Sequence, residues 1–486
     1  MTGVVEWPPD EKVKLIGSLS RPEVVGVGVA LTVFGVGIAV GRPLLFGCLA
    51  VPVVVWTMGS WRGRPARSRV MAELRWVMRR DRDWTESAVA GVVGGDLAAT
   101  RQAPTFLQEV VLRTVESPHA GAPVGVVQAR GSFTVVLPVS AASLAFEPPE
   151  QQLARFQRWG DVLGGLCVEP GSGLRVERIA WTDLHGSSAL DRDGDERFAR
   201  RADGPAACDY RDYVNAVHDT ATGHREVVSV TVTRAAQLRA ARGHGFEGEP
   251  DTVMSDAAAL VASEVAGDLQ RAGFSVGASL TADEISRLLS TALHPFDRLP
   301  PSPWGHERFG VPIPVTPHWV RVERRQVIVD DTYHRVFAIT WPRITVDPAW
   351  AWMPLAADGP KLISVVFEPV APSRADARRE ALASRSAANN QILGLRRGRV
   401  RTVDLRKTGA LHAAERAVAA GHQELDGYGL VAVAGRSLDD LNRRVQVLRQ
   451  RLREAGRAGL VELDGWHDVG LAAALPIGHW VRPTVE

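Results

Sequence analysis

Lysine is nearly missing from this 486-residue chain, occurring only at Lys12, Lys14, Lys361 and Lys407. Arginine, alanine, valine and glycine dominate instead, the usage that GC-rich codons give, so no single arginine marks a site by itself. Cysteine is scarce as well. Cys48, Cys167 and Cys208 have neither CxxC nor metal-ligand spacing, which argues against a disulfide framework or a thiolate zinc site and suits a reducing compartment. Charge of one sign is also lacking: the formal net charge is +2, and nothing in that balance demands a polyanionic partner.

Several standard catalytic signatures are missing too. No GxxxxGK followed by Ser or Thr occurs: Lys361 follows Asp358-Gly359-Pro360, and Lys407-Thr408 follows Leu405-Arg406. A chain without that glycine-rich phosphate cradle is not a standard NTPase motor. HExxH and a GxGxxG after a strand are absent as well.

Long apolar runs, by contrast, are present. Residues 24–40 carry no charge, and Leu44 to Met58 follows after Gly41-Arg42-Pro43. At about 1.5 Å per residue each run approaches a bilayer crossing, and the Gly/Pro turn between them predicts a transmembrane helical hairpin over residues 23–61. A secretory signal and a buried core hairpin are the alternatives. Arg62, Arg64, Arg67, Arg69, Arg75, Arg79, Arg80 and Arg82 follow, against Glu73 and Asp81. The positive-inside rule then puts both termini in the cytoplasm, with the arginines near anionic lipid headgroups. Gly26, Gly28, Gly35 and Gly37 predict close helix packing in lipid.

Length and a 45% hydrophobic content allow two to three domains. The expected division is a cytoplasmic N-terminus (1–22), the hairpin (23–61), a basic juxtamembrane helix and linker (62–124), a first α/β domain (125–299), a Pro-rich linker (300–317) and a second α/β domain (318–486). Valine-rich GVVQARGSFTVVLPV from Gly125 reads as a β-hairpin. A helix should start after Pro148-Pro149 with Leu153, Phe156, Trp159 and Leu163 on one face, and Leu174 to Trp181 alternates as a strand. Thr182 to Ala206 reads as a loop, Glu226 to Val232 as a strand, and a helix opens at Ser255. Thr281-Ala-Asp-Glu284 is a capping box.

Beyond the prolines, His318 to Val329 and Tyr333 to Trp341 predict a hairpin across Asp330-Asp331. Leu362 to Glu368 is a buried strand. A helix capped by Ser373 follows, and a second, about Gly409 to Gln423, returns antiparallel to it. Then come a strand at Gly429 to Val433, a helix capped by Ser437 with Leu438, Leu441, Val445, Leu448 and Leu452 on one face, and a closing strand at Leu460 to Leu463. The expected fold class is therefore α+β: a transmembrane hairpin followed by mixed α/β cytoplasmic domains built of ferredoxin-like, split βαβ units in both halves.

Chemistry-bearing clusters are few. Asp191-Arg-Asp193-Gly-Asp195 opens like a calcium loop but has Glu196 and Ala202 where glycine and glutamate belong. His218 and His224 flank a polar turn. His334, with Asp330 and Asp331 nearby, offers an acid–base pair on paper, although strand histidines are usually structural. Arg396, Arg397, Arg399 and Arg401, joined by Arg406 and Lys407, form a basic cluster suited to nucleic acid, lipid headgroups or plain solvation. No aromatic residues interleave with it, so a single-strand stacking platform is not indicated. No catalytic, cofactor-binding or metal-binding residues are assigned.

Arg158-Trp-Gly-Asp-Val-Leu163, Thr340-Trp-Pro-Arg343, Phe367-Glu-Pro-Val-Ala-Pro-Ser-Arg374 and Gly421-His-Gln-Glu-Leu-Asp-Gly-Tyr-Gly429 carry a resemblance. The chain resembles an actinobacterial family of membrane proteins found with conjugation or type IV secretion-like genes. In that family the hairpin looks like the small inner-membrane subunit, and the soluble part is similar to the non-motor N-terminal region of the transport ATPase. The resemblance implies a non-catalytic, membrane-anchored subunit of a hetero-oligomeric machine, docking a P-loop ATPase supplied in trans beside other membrane subunits. The E-type core component of type VII secretion has the same expected topology and stands as the alternative, as does a membrane-bound enzyme with an unrecognised site.

Overall fold

The computed structural model describes residues 110–116, 122–129, 131–140, 148–166, 174–187, 222–296, 319–340, 359–370, 425–454 and 459–478, with short pieces elsewhere. In chain order the elements are β1 (Asp83–Thr85), β2 (Val110–Glu116), β3 (Pro123–Ala129), β4 (Ser132–Ser140), α1 (Pro149–Gly165), β5 (Arg178–Ser187), β6 (Thr222–Thr233), α2 (Arg234–Gly243), α3 (Pro250–Arg271), β7 (Ser275–Val276) and α4 (Ala282–Leu293). They continue with β8 (Trp319–Glu323), β9 (Gln326–Val329), β10 (Thr332–Thr340), β11 (Lys361–Pro369), β12 (Leu425–Gly435), α5 (Leu438–Glu454), β13 (Gly459–Glu462) and α6 (His467–Ala474).

These strands make one 13-stranded sheet in the order β1-β8-β9-β10-β12-β11-β5-β6-β4-β3-β2, with β7 beside β4 and β13 beside β10. Every described pairing in it is antiparallel. Alternation along each strand then separates two faces. Phe133, Val135 and Leu137 of β4 join Val253, Ala257, Val261, Val265 and Leu269 of α3 in one core. Phe337, Val431 and Val433 meet Leu441, Val445, Leu448 and Leu452 of α5 in a second. Because Trp181 pairs with Val365 and Asp183 with Ile363, both cores lie on the same face of the sheet. The opposite face carries α4 and α6.

Local sequence explains the element ends. Gly273, with φ +89°, closes α3. The Phe274 N–H donates to the Leu269 carbonyl and the Gly273 N–H to that of Gln270, a Schellman closure that an L side chain would strain. At α4 the Thr281 hydroxyl accepts from the Glu284 N–H at 3.3 Å, and the Glu284 carboxylate accepts from the Thr281 N–H at 2.8 Å. Thr281→Ala is expected to cost about 1 kcal/mol in urea unfolding, whereas Thr281→Ser should keep most of the cap.

The expected fold class is corrected. In place of separate ferredoxin-like units, one mostly antiparallel sheet runs through both halves, joined where β5 meets β11. Local strand–helix patterns look like closed units because periodicity says nothing about pairing between distant strands. The transmembrane hairpin is not seen either: no helix among the described residues is long and apolar enough to cross a membrane. The two apolar runs on which it rested lie, apart from Thr32 and Ala39, outside the described residues. An uncharged run reads the same whether protein or lipid buries it. The helices expected at Met71 to Arg82 and Gly409 to Gln423, and the Pro-rich stretch before Pro317, also lie outside them.

Candidate functional site

Three polar clusters are candidates for chemistry. The first surrounds α6. Glu462, Asp464 and His467 bring potential ligand atoms within 4.8 Å of one another. His467 is fully buried, and burial pushes its imidazole down to about 3, helped by the Arg335 charge. Its Nδ1 accepts the Val336 backbone N–H at 3.0 Å, so the neutral ring carries its proton on Nε2. Neither nitrogen then offers a lone pair to a cation. Glu462 is also already engaged, by Arg449 at 3.2 Å and Arg335 at 3.8 Å. The triad has the outline of a metal site but not its donor chemistry.

Arg335, buried on β10, organises the neighbouring loops. Its Nε donates to the Arg325 carbonyl at 2.9 Å, one terminal nitrogen to Asn442 Oδ1 at 3.0 Å and the other to Gln326 Oε1 at 3.1 Å. Burial lowers its pKa against the support of Glu462, and the fork of donors matches three acceptors from two segments.

The second cluster lies at the sheet centre. Asp183 Oδ2 and His185 Nε2 stand 2.8 Å apart on β5, and His185 is opposite both Lys361 of β11 and His224 of β6. All three of Asp183, His185 and Lys361 are buried. An Asp–His pair is a familiar general-base unit, but here both side chains are nearly closed off from solvent. The surface depression of about 380 Å³ lined by Pro138, Ser140, Arg225, Glu226 and Ser275 contains neither residue.

In the third cluster, His334 Nε2 donates to the Leu293 carbonyl at 2.8 Å. Burial holds its pKa down near 4. Asp330 instead meets His294: Nε2 donates to Oδ2 at 2.7 Å, while Oδ1 accepts the Trp319 N–H at 2.8 Å. Asp330 sits at φ +49° in the tight hairpin turn, a conformation aspartate tolerates. The pairing of His334 with Asp330 suggested by their spacing does not form. Each finds a partner at the end of α4.

His218, Asp191 to Asp195, the arginines from Arg396 to Arg401 and all three cysteines lie outside the described residues. Sequence reasoning passed over His294, Arg335, His467 and the Asp183–His185 pair. Only the pair had a usable signal, an Asp-x-His spacing that continues the alternation of the strand before it. Compared with protein-family models and with curated proteins, the chain matches none.

Proposed function

We propose that this chain is a non-catalytic scaffold subunit of a membrane-associated secretion or conjugation machine, where it docks a P-loop ATPase supplied in trans. The observation that carries the reading is how the polar interior is used. Arg335, His334, His467 and Asp330 each bond to a backbone group of another segment, so the groups best suited to chemistry hold the fold together. A motor partner is favoured by the missing phosphate loop and by the family resemblance. Membrane association is favoured by the uncharged runs at 24–40 and 44–58 with the arginines behind them.

Affinity purification of the tagged full-length chain from detergent-solubilised membranes, with mass spectrometry, tests this. A conjugation-type ATPase with polytopic membrane subunits is the expected recovery. Type VII core components would replace the leading reading with the E-type one. Robust ATP turnover by the purified chain alone, or no stoichiometric partner, would overturn both. Neutralising Arg396, Arg397, Arg399 and Arg401 is expected to lower any DNA or anionic-lipid affinity without disturbing assembly; unchanged affinity would remove that cluster from the proposal.

A further inference from the structure

We infer that the chain is an intramolecular dimer: two copies of one folding unit, docked across β5 and β11 through an interface of the isologous kind. Residues 110–296 give the sheet order β2-β3-β4-β6-β5, with β7 beside β4; residues 319–478 give β8-β9-β10-β12-β11, with β13 beside β10. The correspondence holds at the level of register. Ala129 pairs with Ser132 across one two-residue turn, Val329 with Thr332 across the other. In both units a crossover through helices returns to the far side of the third strand, and a last helix (α4 or α6) follows on the opposite face.

A pseudo-two-fold relation fixes one residue pair on its axis, and the strand registers put Thr182 opposite Ser364 there. Their hydroxyls lie 3.3 Å apart, buried. Around this point the seam has the contents of a protein–protein interface. Trp159 and Trp181 of the first unit stack edge-on, with Phe367 of the second 6.0 Å from Trp159, and Arg178 meets Glu368 across the strands at 3.1 Å.

The tails cross reciprocally. From the first unit, Leu293 and His294 at the end of α4 bond to His334 and Asp330 of the second. From the second, Gly478 beyond α6 gives its carbonyl to Arg178 at 3.0 Å and fits so closely beside Thr134 and Thr231 that a Cβ would clash. Thr134 and His334 are each the third residue of the third strand in their unit. Each unit thus holds the other's tail at the same place, as the two subunits of a symmetric dimer do. Independent of any role in a secretion machine, this makes the seam, the tails and the pairing of β1 with β8, not the covalent connection, what keeps the halves together.

The test is a protease site inserted between residues 300 and 316 of the full-length chain, cut after folding. The two fragments are expected to co-elute at the position of the uncut protein. The double variant Arg178→Ala, His334→Ala should weaken their association at least tenfold once cut. Separation of the unaltered halves on cleavage, or no weakening in the variant, overturns the inference. Should the insertion prevent folding, Thr182→Cys with Ser364→Cys in a chain whose natural cysteines are replaced by serine is expected to form one intrachain disulfide; failure to oxidise would refute the seam.

Discussion

Lowering the pH from 7 to 5 is expected to cost the folded chain about 4 kcal/mol, before most carboxylates titrate. His334 and His467 are the cause. Burial holds the first near pKa 4 and the second near 3, both starting from 6.5. Their folded values lie below the unfolded one, so their neutral forms are favoured in the fold and their stabilisation is complete above pH 6.5. As pH falls through 6.5 the unfolded chain takes up protons that the folded chain refuses. Stability therefore drops until the folded values are reached. At pH 5 each histidine contributes a loss of about 2 kcal/mol, from roughly 1.4 kcal/mol per pH unit.

Two near-isosteric replacements isolate the effect. His334→Gln keeps an N–H donor for the Leu293 carbonyl, and His467→Asn keeps an acceptor for the Val336 N–H. Urea unfolding at pH 7 and pH 5 should show the wild-type loss and a much smaller one in the double variant. Equal losses in the two proteins would mean that neither histidine is buried as neutral imidazole.

How far the sequence announces this fold depends on the distance over which each feature is decided. The Thr281 capping box, the hairpin across Asp330 and Asp331, and the face of α5 defined by Leu441, Val445, Leu448 and Leu452 follow from residues within one or two turns of each other. The seam does not. The alternation of the sequence ends β5 at Trp181, yet the strand continues to Ser187: Asp183 and His185 put polar side chains on a face that is buried only once β11 arrives. Polar residues at buried strand positions look like a loop until their partner strand is known. The same holds for chemistry: His467 belongs to no motif, and its burial comes from the packing of α6 on β10.

Glycine substitutions should separate these layers most sharply. A Cβ added to Gly435 would stand 2.6 Å from the Leu441 backbone nitrogen, where β12 passes beneath the start of α5. At Gly125 it would stand 2.5 Å from the Thr281 carbonyl carbon, and that glycine's own N–H is bonded to the Leu280 carbonyl at 2.8 Å. In both cases the obstacle is backbone, which cannot rotate away as a side-chain tip can. Gly435→Ala and Gly125→Ala are each expected to cost about 3 kcal/mol or more, the upper range for overpacking. Gly160, exposed in the middle of α1, has nothing within 4 Å of the added carbon. Gly160→Ala should instead stabilise by about 0.5–1 kcal/mol through helix propensity. Urea midpoints at constant m would read all three changes. If Gly435→Ala left the midpoint unchanged or raised it, the close approach of α5 to β12 would be wrong, and with it the packing of the second core.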